Sequence, residues 1–240
     1  MPSPTISFTT GATQEHFSRH GESKAMRETS ASLLDRAMLE RALDLARYSV
    51  RRGSSPIGCV IVDGSGRIIS EGRNKSGEAW PKTAQRIGNS SFAHAEMDAF
   101  YRVKRLKNPE ACTVYSSLEP CLMCGGAMGM VQVGRTVWAC DDPWGGAGRL
   151  IEWNKHPAYQ QTQVLACPFP DLELEAARLF APEAKKVYPV EGWAAWWKRY
   201  PDICAQSESI PEETDHLRAA QAQVRRAPRR AARATLEHQT

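Results

Sequence analysis

"SSLEPCLMCGGAMG", residues 116–129, sets Cys121 and Cys124 three positions apart behind Pro120. The run before it, "CTVYSSL", reads as a strand, and the small apolar residues from Cys121 to about Gln132 read as a helix. A Cys-x-x-Cys pair at such a junction can be a redox couple, half of a structural zinc knot, or part of a catalytic metal site. The pair alone does not choose between them.

Upstream, "SFAHAEMDAF" places His94, Ala95 and Glu96 at the start of a second predicted helix, with 24 residues between Glu96 and Cys121. A redox couple has no use for His-x-Glu at another helix start. A structural zinc needs four protein ligands. The spare candidates, Cys112 and Cys140, fall in predicted strands. A catalytic zinc takes three ligands and keeps the fourth position for water. His94, Cys121 and Cys124 supply those three, and the dipoles of two helix starts favour thiolates there. Zinc lowers the pKa of its water from about 15.7 towards about 7, so a proton must be taken and returned. Glu96, two residues from a ligand, is placed for that exchange, and the Ala95 amide can steady the developing tetrahedral centre. H-x-E followed by P-C-x-x-C is a recognised signature of zinc deaminases.

Around this pair of motifs, helices and strands alternate. "LLDRAMLERALDLA" carries an apolar stripe and predicts a helix over 32–52, capped by Thr29 or Ser30. "SSPIGCVIVDGSGRIISEGRN" reads as a hairpin turning at Gly64–Gly66, and the polar stretch 75–91 as a loop before a helix from Phe92 to Leu106. "RTVWACD" and "QTQVLAC" are strands, "GGAGRL" a loop, "DLELEAARLF" a helix and "EGWAAWWKRYP" a Trp-rich helix. Short connections around a buried sheet predict a three-layer α/β/α domain. Residues 1–28 read as a flexible arm, 29–207 as one domain and 208–240 as an Arg/Ala-rich tail.

Composition sets outer limits. The 240 residues are 42% hydrophobic and 24% charged, with a formal net charge of +4. No apolar run is long enough for a membrane span, so no membrane partner is expected. The N-terminus lacks the apolar core of a secretory signal, and a cytoplasmic setting follows as the default. Seven cysteines, an odd number, do not suggest a disulfide framework and are expected to be reduced. The mild charge gives weak grounds for a nucleic-acid partner. "RAAQAQVRRAPRRAARA" in the tail, with six arginines, reads first as a solubilising extension and second as a phosphate-binding arm.

At these residues the chain resembles the cytidine deaminase-like superfamily, and within it the bacterial tRNA adenosine deaminases and their guanine and nucleoside deaminase relatives. The likeness covers about residues 32–180 and includes "GCVIVD", "GRN", "HAE", "LEPCLMCGGAM", "VGRTVWACDD" and "GGAG". The resemblance implies a five-stranded mixed sheet, a homodimer, and hydrolytic removal of an exocyclic amino group from a base. Residue by residue it implies His94, Cys121 and Cys124 as zinc ligands, Glu96 as proton shuttle, and Asn74 as a contact to base or ribose. Two departures bear on the substrate. The loop from Lys75 to Ala93 is longer than in the tRNA deaminases. "DDPWGG" stands where they carry a basic, small stretch. Asp141 and Asp142 would repel phosphates, with Asp142 beside the substrate. Trp144 could stack on a heterocycle or pack an interface. Trp193, Trp196 and Trp197, at helical spacing, are expected in the core or a dimer contact, or closing over the site. The expected substrate is a small purine- or pyrimidine-type base or nucleoside, with tRNA adenosine as the alternative. A zinc module that only binds is disfavoured because it would not need Glu96.

Overall fold

The computed structural model describes residues 32–78, 87–153 and 162–208. Its first helix, α1 (Leu33–Arg51), is capped by Ser32 rather than by Thr29 or Ser30. The Ser32 hydroxyl accepts from the Asp35 amide at 3.1 Å, and Asp35 accepts from the Ser32 amide at 2.8 Å. This reciprocal box satisfies two helix-start donors at once, which is why the helix begins here. Leu39, Ala42, Leu43 and Ala46 form its fully buried stripe.

The hairpin follows as β1 (Gly58–Val62) and β2 (Ile68–Arg73), antiparallel to each other. The Asp63 carboxylate holds the turn by accepting from Ser65 and the Arg67 amide, and Gly66 supplies the positive φ of +80°. After them come α2 (Ala95–Val103), β3 (Thr113–Ser116), α3 (Leu122–Met130), β4 (Arg135–Trp138) and α4 (Gly148–Trp153). The chain continues as β5 (Gln163–Ala166), α5 (Pro170–Val187), α6 (Val190–Arg199) and α7 (Pro201–Glu208).

The strands form one mixed sheet in the order β2-β1-β3-β4-β5. β1 runs antiparallel to β2 and β3, while β3, β4 and β5 run parallel. All five residues of β1 are buried, as a strand covered on both faces requires. Val60 and Val62 point into the core shared with α1 and α5, and Cys59 and Ile61 into the core shared with α2 and α3. The fold is the expected three-layer α/β/α sandwich, with α6 and α7 thickening the α1/α5 layer. Close approach sets the site end of the sheet. A Cβ on Gly72 of β2 would lie 2.1 Å from the Ala95 carbonyl, so only glycine lets α2 start against that strand.

Several boundaries differ from the sequence expectation. α2 starts at Ala95, not Phe92, because Ser90–Ala93 closes a turn first and leaves Phe92 exposed. "GGAGRL" is not all loop, since α4 begins at Gly148. α5 runs seven residues past Phe180, through Pro182, with Ala181 and Ala184 keeping its face buried. α7 was not anticipated. Trp196 is fully buried, with ring centroids 5.4 Å from Phe180 and 5.2 Å from Tyr200. Trp193 and Trp197 pack half-buried against the same core, so the tryptophan stripe is core. No described helix is long and apolar enough to cross a membrane. The arm over residues 1–28 and the tail over 209–240 lie outside the described residues.

Candidate active site

Two helix starts meet here. His94 is the residue before α2, with extended backbone, and Cys121 holds the same position before α3. Cys124 follows in the first turn of α3, fully buried, while His94 and Cys121 are half-buried. Pro120 precedes the cap instead of opening the helix. His94 Nδ1 lies 3.5 Å from Cys121 Sγ and 3.6 Å from Cys124 Sγ. Zinc bonds of about 2.3 Å to sulfur and about 2.0–2.1 Å to nitrogen, at a tetrahedral angle, span an N···S edge of about 3.5 Å. The three donors fit that ion in element type and spacing. No fourth protein donor joins the group among the described residues. Cys112 Sγ faces backbone carbonyls of Lys107 and Asn108, and Cys140 Sγ lies 3.3 Å from the Tyr200 hydroxyl.

Electrostatics favour a thiolate at once. A hydrogen bond from Cys124, with His94 and a backbone amide adding to it against burial, pulls Cys121 down to about 4. Cys124 is pushed up by that same bond to Cys121, then by burial and the Glu96 carboxylate. His94 is raised, chiefly by its bond to Cys121.

Glu96 stands in the first turn of α2, 3% exposed. Its Oε1 accepts from Ser116 Oγ at 3.0 Å, and Ser116 is the buried last residue of β3. Burial pushes the Glu96 carboxyl above the ordinary carboxylate range. Strand β3 therefore fixes the carboxyl's position, and the dry surroundings favour its protonated form. Ala95, one residue before, is fully buried.

The structure brings other expected residues near this end of the sheet and shows the bonds they make within the chain. Asn74 follows β2 directly and is buried. Its side-chain oxygen accepts from the Ser76 amide and hydroxyl at 3.0 and 2.8 Å, closing an Asx turn. Asp142, expected beside the substrate, is engaged by internal partners. Its Oδ1 accepts from the Trp144 and Gly145 amides and from Trp196 Nε1, and its Oδ2 from the Tyr188 hydroxyl. Four internal donors occupy this carboxylate, so it ties the fold together and is not a free acceptor for a base. Asp141 accepts from Trp138 Nε1 and pairs with Arg149 and Arg199, so the two acids do not present an unpaired negative rim to phosphates. Asp141, Cys167 and Glu173 converge within metal-binding range, but Arg199 bonds both carboxylates, which makes this an ion-pair network. Trp144 is 47% exposed and lies against Gly192 of α6.

Ser116, Tyr188 and the Lys75–Asp98 pair were not singled out from sequence. Lys75 Nζ donates to Asp98 Oδ1 at 2.6 Å, both side chains being buried. The Lys75 amide donates to the Ala93 carbonyl and its carbonyl accepts from Asn89, so both ends of the 75–93 stretch are tied to the start of α2. Asp98 on a helix with an apolar face was the one available signal.

Comparison with known proteins agrees with this geometry. Residues 33–140 match the family described as the cytidine and deoxycytidylate deaminase zinc-binding region. A tRNA-specific adenosine deaminase of Streptococcus pyogenes serotype M18 is 32% identical over 121 residues, covering 48% of this chain and 68% of that protein. A cytosine deaminase of Candida albicans is 33% identical over 96 residues, covering 39% of this chain and 58% of that one. The solved guanine deaminase of Bacillus subtilis is 33% identical, with a TM-score of 0.37, over 45% of this chain and 64% of its own. Zinc is the cofactor that the donor set and the matched family share, and this chain belongs to the cytidine and deoxycytidylate deaminase zinc-binding family.

Proposed function

We propose that this zinc deaminase removes an exocyclic amino group from a small purine- or pyrimidine-type base or nucleoside, releasing ammonia. The observation that carries the reading is Glu96: a buried carboxyl, held by Ser116 and two residues from His94, beside three converged zinc donors. A zinc ion held by His94, Cys121 and Cys124 supplies Lewis acidity that brings the pKa of water to about 7. Glu96 takes one proton from the attacking water and delivers it to the ring nitrogen next to the amino-bearing carbon. It then carries the second water proton to the departing amine as the C–N bond breaks. The ring gains a carbonyl and an N–H, and ammonia leaves. The Ala95 amide, at the α2 start, would bond the oxygen that becomes the carbonyl. Asn74 would orient the ring from the end of β2.

The α3 surface supports a homodimer. This helix, LMCGGAMGM, has no charged side chain, yet Leu122 and Met130 are 70% and 71% exposed. Such an uncharged face is what self-association covers. Seven free thiols suit a reducing, cytoplasmic setting.

A second reading, adenosine deamination in tRNA, is favoured by the relative named for it. A groove of about 510 Å³ between α1, β2 and α2 would serve it, lined by Arg41, Arg47, Arg51, Arg73 and Arg102 against Asp44, Glu71 and Asp98. Ammonia release from cytosine, guanine, adenine, their nucleosides, aminated triazines and pterins, and a tRNA anticodon stem-loop separates the readings. Turnover of a free base or nucleoside that disappears in Glu96→Ala supports the first. Turnover confined to the stem-loop, falling steeply with salt, replaces it with the second.

A further inference from the structure

We propose that Tyr188 walls the mouth of this site and limits the size of ring system it accepts, with Asp142 as the residue that positions it. The substrate class in this inference rests on the deaminase reading above; the wall itself does not. The C-terminal helices reach both flanks of the metal end of the sheet. On one flank, Glu183 of α5 accepts from Ser55 Oγ at 2.9 Å. Ser55 belongs to the loop before β1, where the Ile57 carbonyl takes the Asn74 amide. On the other flank, Tyr188, at the corner between α5 and α6, donates its hydroxyl to Asp142 Oδ2 at 2.5 Å. The corner therefore spans from the Asn74 side to the cysteine side.

Its cysteine side is tight. A Cβ on Gly145 would lie 2.5 Å from the Tyr188 hydroxyl. The next residue, Gly146, pairs with Cys121 in an isolated antiparallel bridge, and the Ala147 amide donates to the Pro120 carbonyl at 2.9 Å. One peptide unit thus separates the Tyr188 contact from the strand-like bridge to a zinc donor. The Tyr188 phenol is raised by burial first and by Asp142 next, and it also feels the charges of Cys121 and Glu183, as a group lying between the two flanks should.

Asp142 fixes the ring. A hydrogen bond to a carboxylate is among the stronger ones, and this carboxylate is itself held by three more donors, including the fully buried Trp196. Gly192 completes the arrangement, because a Cβ there would meet both the Trp144 ring and the Tyr188 Cβ at 2.9 Å. Tyr188 and half-exposed Trp144 then form an aromatic rim suited to a flat heterocycle. A nucleotide within a polymer would have to displace a corner anchored on both sides.

The test uses the zinc-loaded full chain with Tyr188→Ala, Tyr188→Leu and Asp142→Asn. Steady-state kinetics on the base that the panel identifies should show KM raised about tenfold in Tyr188→Ala and kcat changed less than about threefold, the split expected when ground-state binding is lost. Selectivity should move towards nucleosides, and Asp142→Asn should lie between wild type and Tyr188→Ala. A substrate-free measurement accompanies it: the rates at which 1,10-phenanthroline and the bulkier bathophenanthroline disulfonate strip the zinc. Wild type should resist the bulky chelator more, and both Tyr188 variants should erase that difference. Tyr188→Leu keeps much of the packing volume and so guards against a misfolded alanine variant. Folded variants whose size discrimination equals that of wild type would overturn the wall. Loss of discrimination in a protein that deaminates nothing in the panel would keep the wall and reject the deaminase reading.

Discussion

In the proposed reaction Glu96 is the proton carrier, and three separate constraints meet on its carboxyl. Its place in the chain, two residues from His94, puts it beside the donors. Its place on α2 buries it, and Ser116 from β3 aims it at 3.0 Å. Removing its acid function without its shape should separate catalysis from metal binding. Glu96→Gln is expected to keep one zinc per chain by metal analysis while turnover falls about 10²- to 10⁴-fold, the span that proton transfer by a side chain contributes. A loss of zinc in that variant would instead make Glu96 part of the metal site. The four residues of the motif were legible in sequence because zinc and helix geometry demand them at fixed local spacing. Ser116 was not. Its link to Glu96 crosses 20 residues and depends on β3 lying beside α2.

At the level of elements, α1 shows how one residue joins two kinds of structure. Asp35 closes the capping box with Ser32, and it also accepts from the Tyr115 hydroxyl on β3 and pairs with Arg135 on β4. Burial works to raise this carboxyl, but the bonds from Arg135, the Ser32 amide and Tyr115 outweigh it and hold Asp35 at about 2. An unfolded aspartate titrates near 3.9, about two units higher. The depressed group therefore adds stability that is complete above about pH 4 and is lost as pH falls towards about 2. Thermal unfolding from pH 5 to pH 2 should show a steep decline in the wild type and a shallower one in Asp35→Asn, whose melting point is lower at pH 5. Equal slopes would remove Asp35 from the acid response. The sequence announced α1 through its apolar stripe, yet its true cap emerged only with the Asp35 side chain. The same held at α2 and α5, where a turn at Ser90–Ala93 and buried alanines around Pro182 overrode local propensity.

One buried contact and one exposed face belong to the scale of the whole molecule. The buried Lys75–Asp98 pair ties the segment after β2 to α2, across the edge of the sheet that carries Asn74 and Glu96. Burial lowers the Lys75 ammonium's pKa, while Asp98 opposes the shift. Asp98→Ala would leave a buried charge without its partner, at a cost of about 3–5 kcal/mol, read as a lower denaturant midpoint. Asp98 Oδ2 also accepts from the Arg73 amide and pairs with Arg102. Lys75→Met with Asp98→Leu should recover much of that loss; a double variant no better than the single one would show that those two partners matter more. In the same layer as α2, Met130→Glu places a charge on the bare α3 face. It is expected to convert a dimer to a monomer in sedimentation, and an unchanged mass would move the interface elsewhere.

The sequence by itself determined the three converging zinc donors and the five strands with most of the helices between them, because metal geometry and hydrophobic period act over a few residues. It did not show how Asp142 is held: its acidity was visible but its four donors were not. Those come from its own loop, from Tyr188 and from Trp196, 46 and 54 residues away. Packing of the C-terminal helices against the sheet decided that Asp142 holds the fold, that the tryptophan stripe is core, and that Tyr188 bonds Asp142 beside Gly145. A buried polar group must find partners wherever the fold brings them, and that requirement has no local spacing to read.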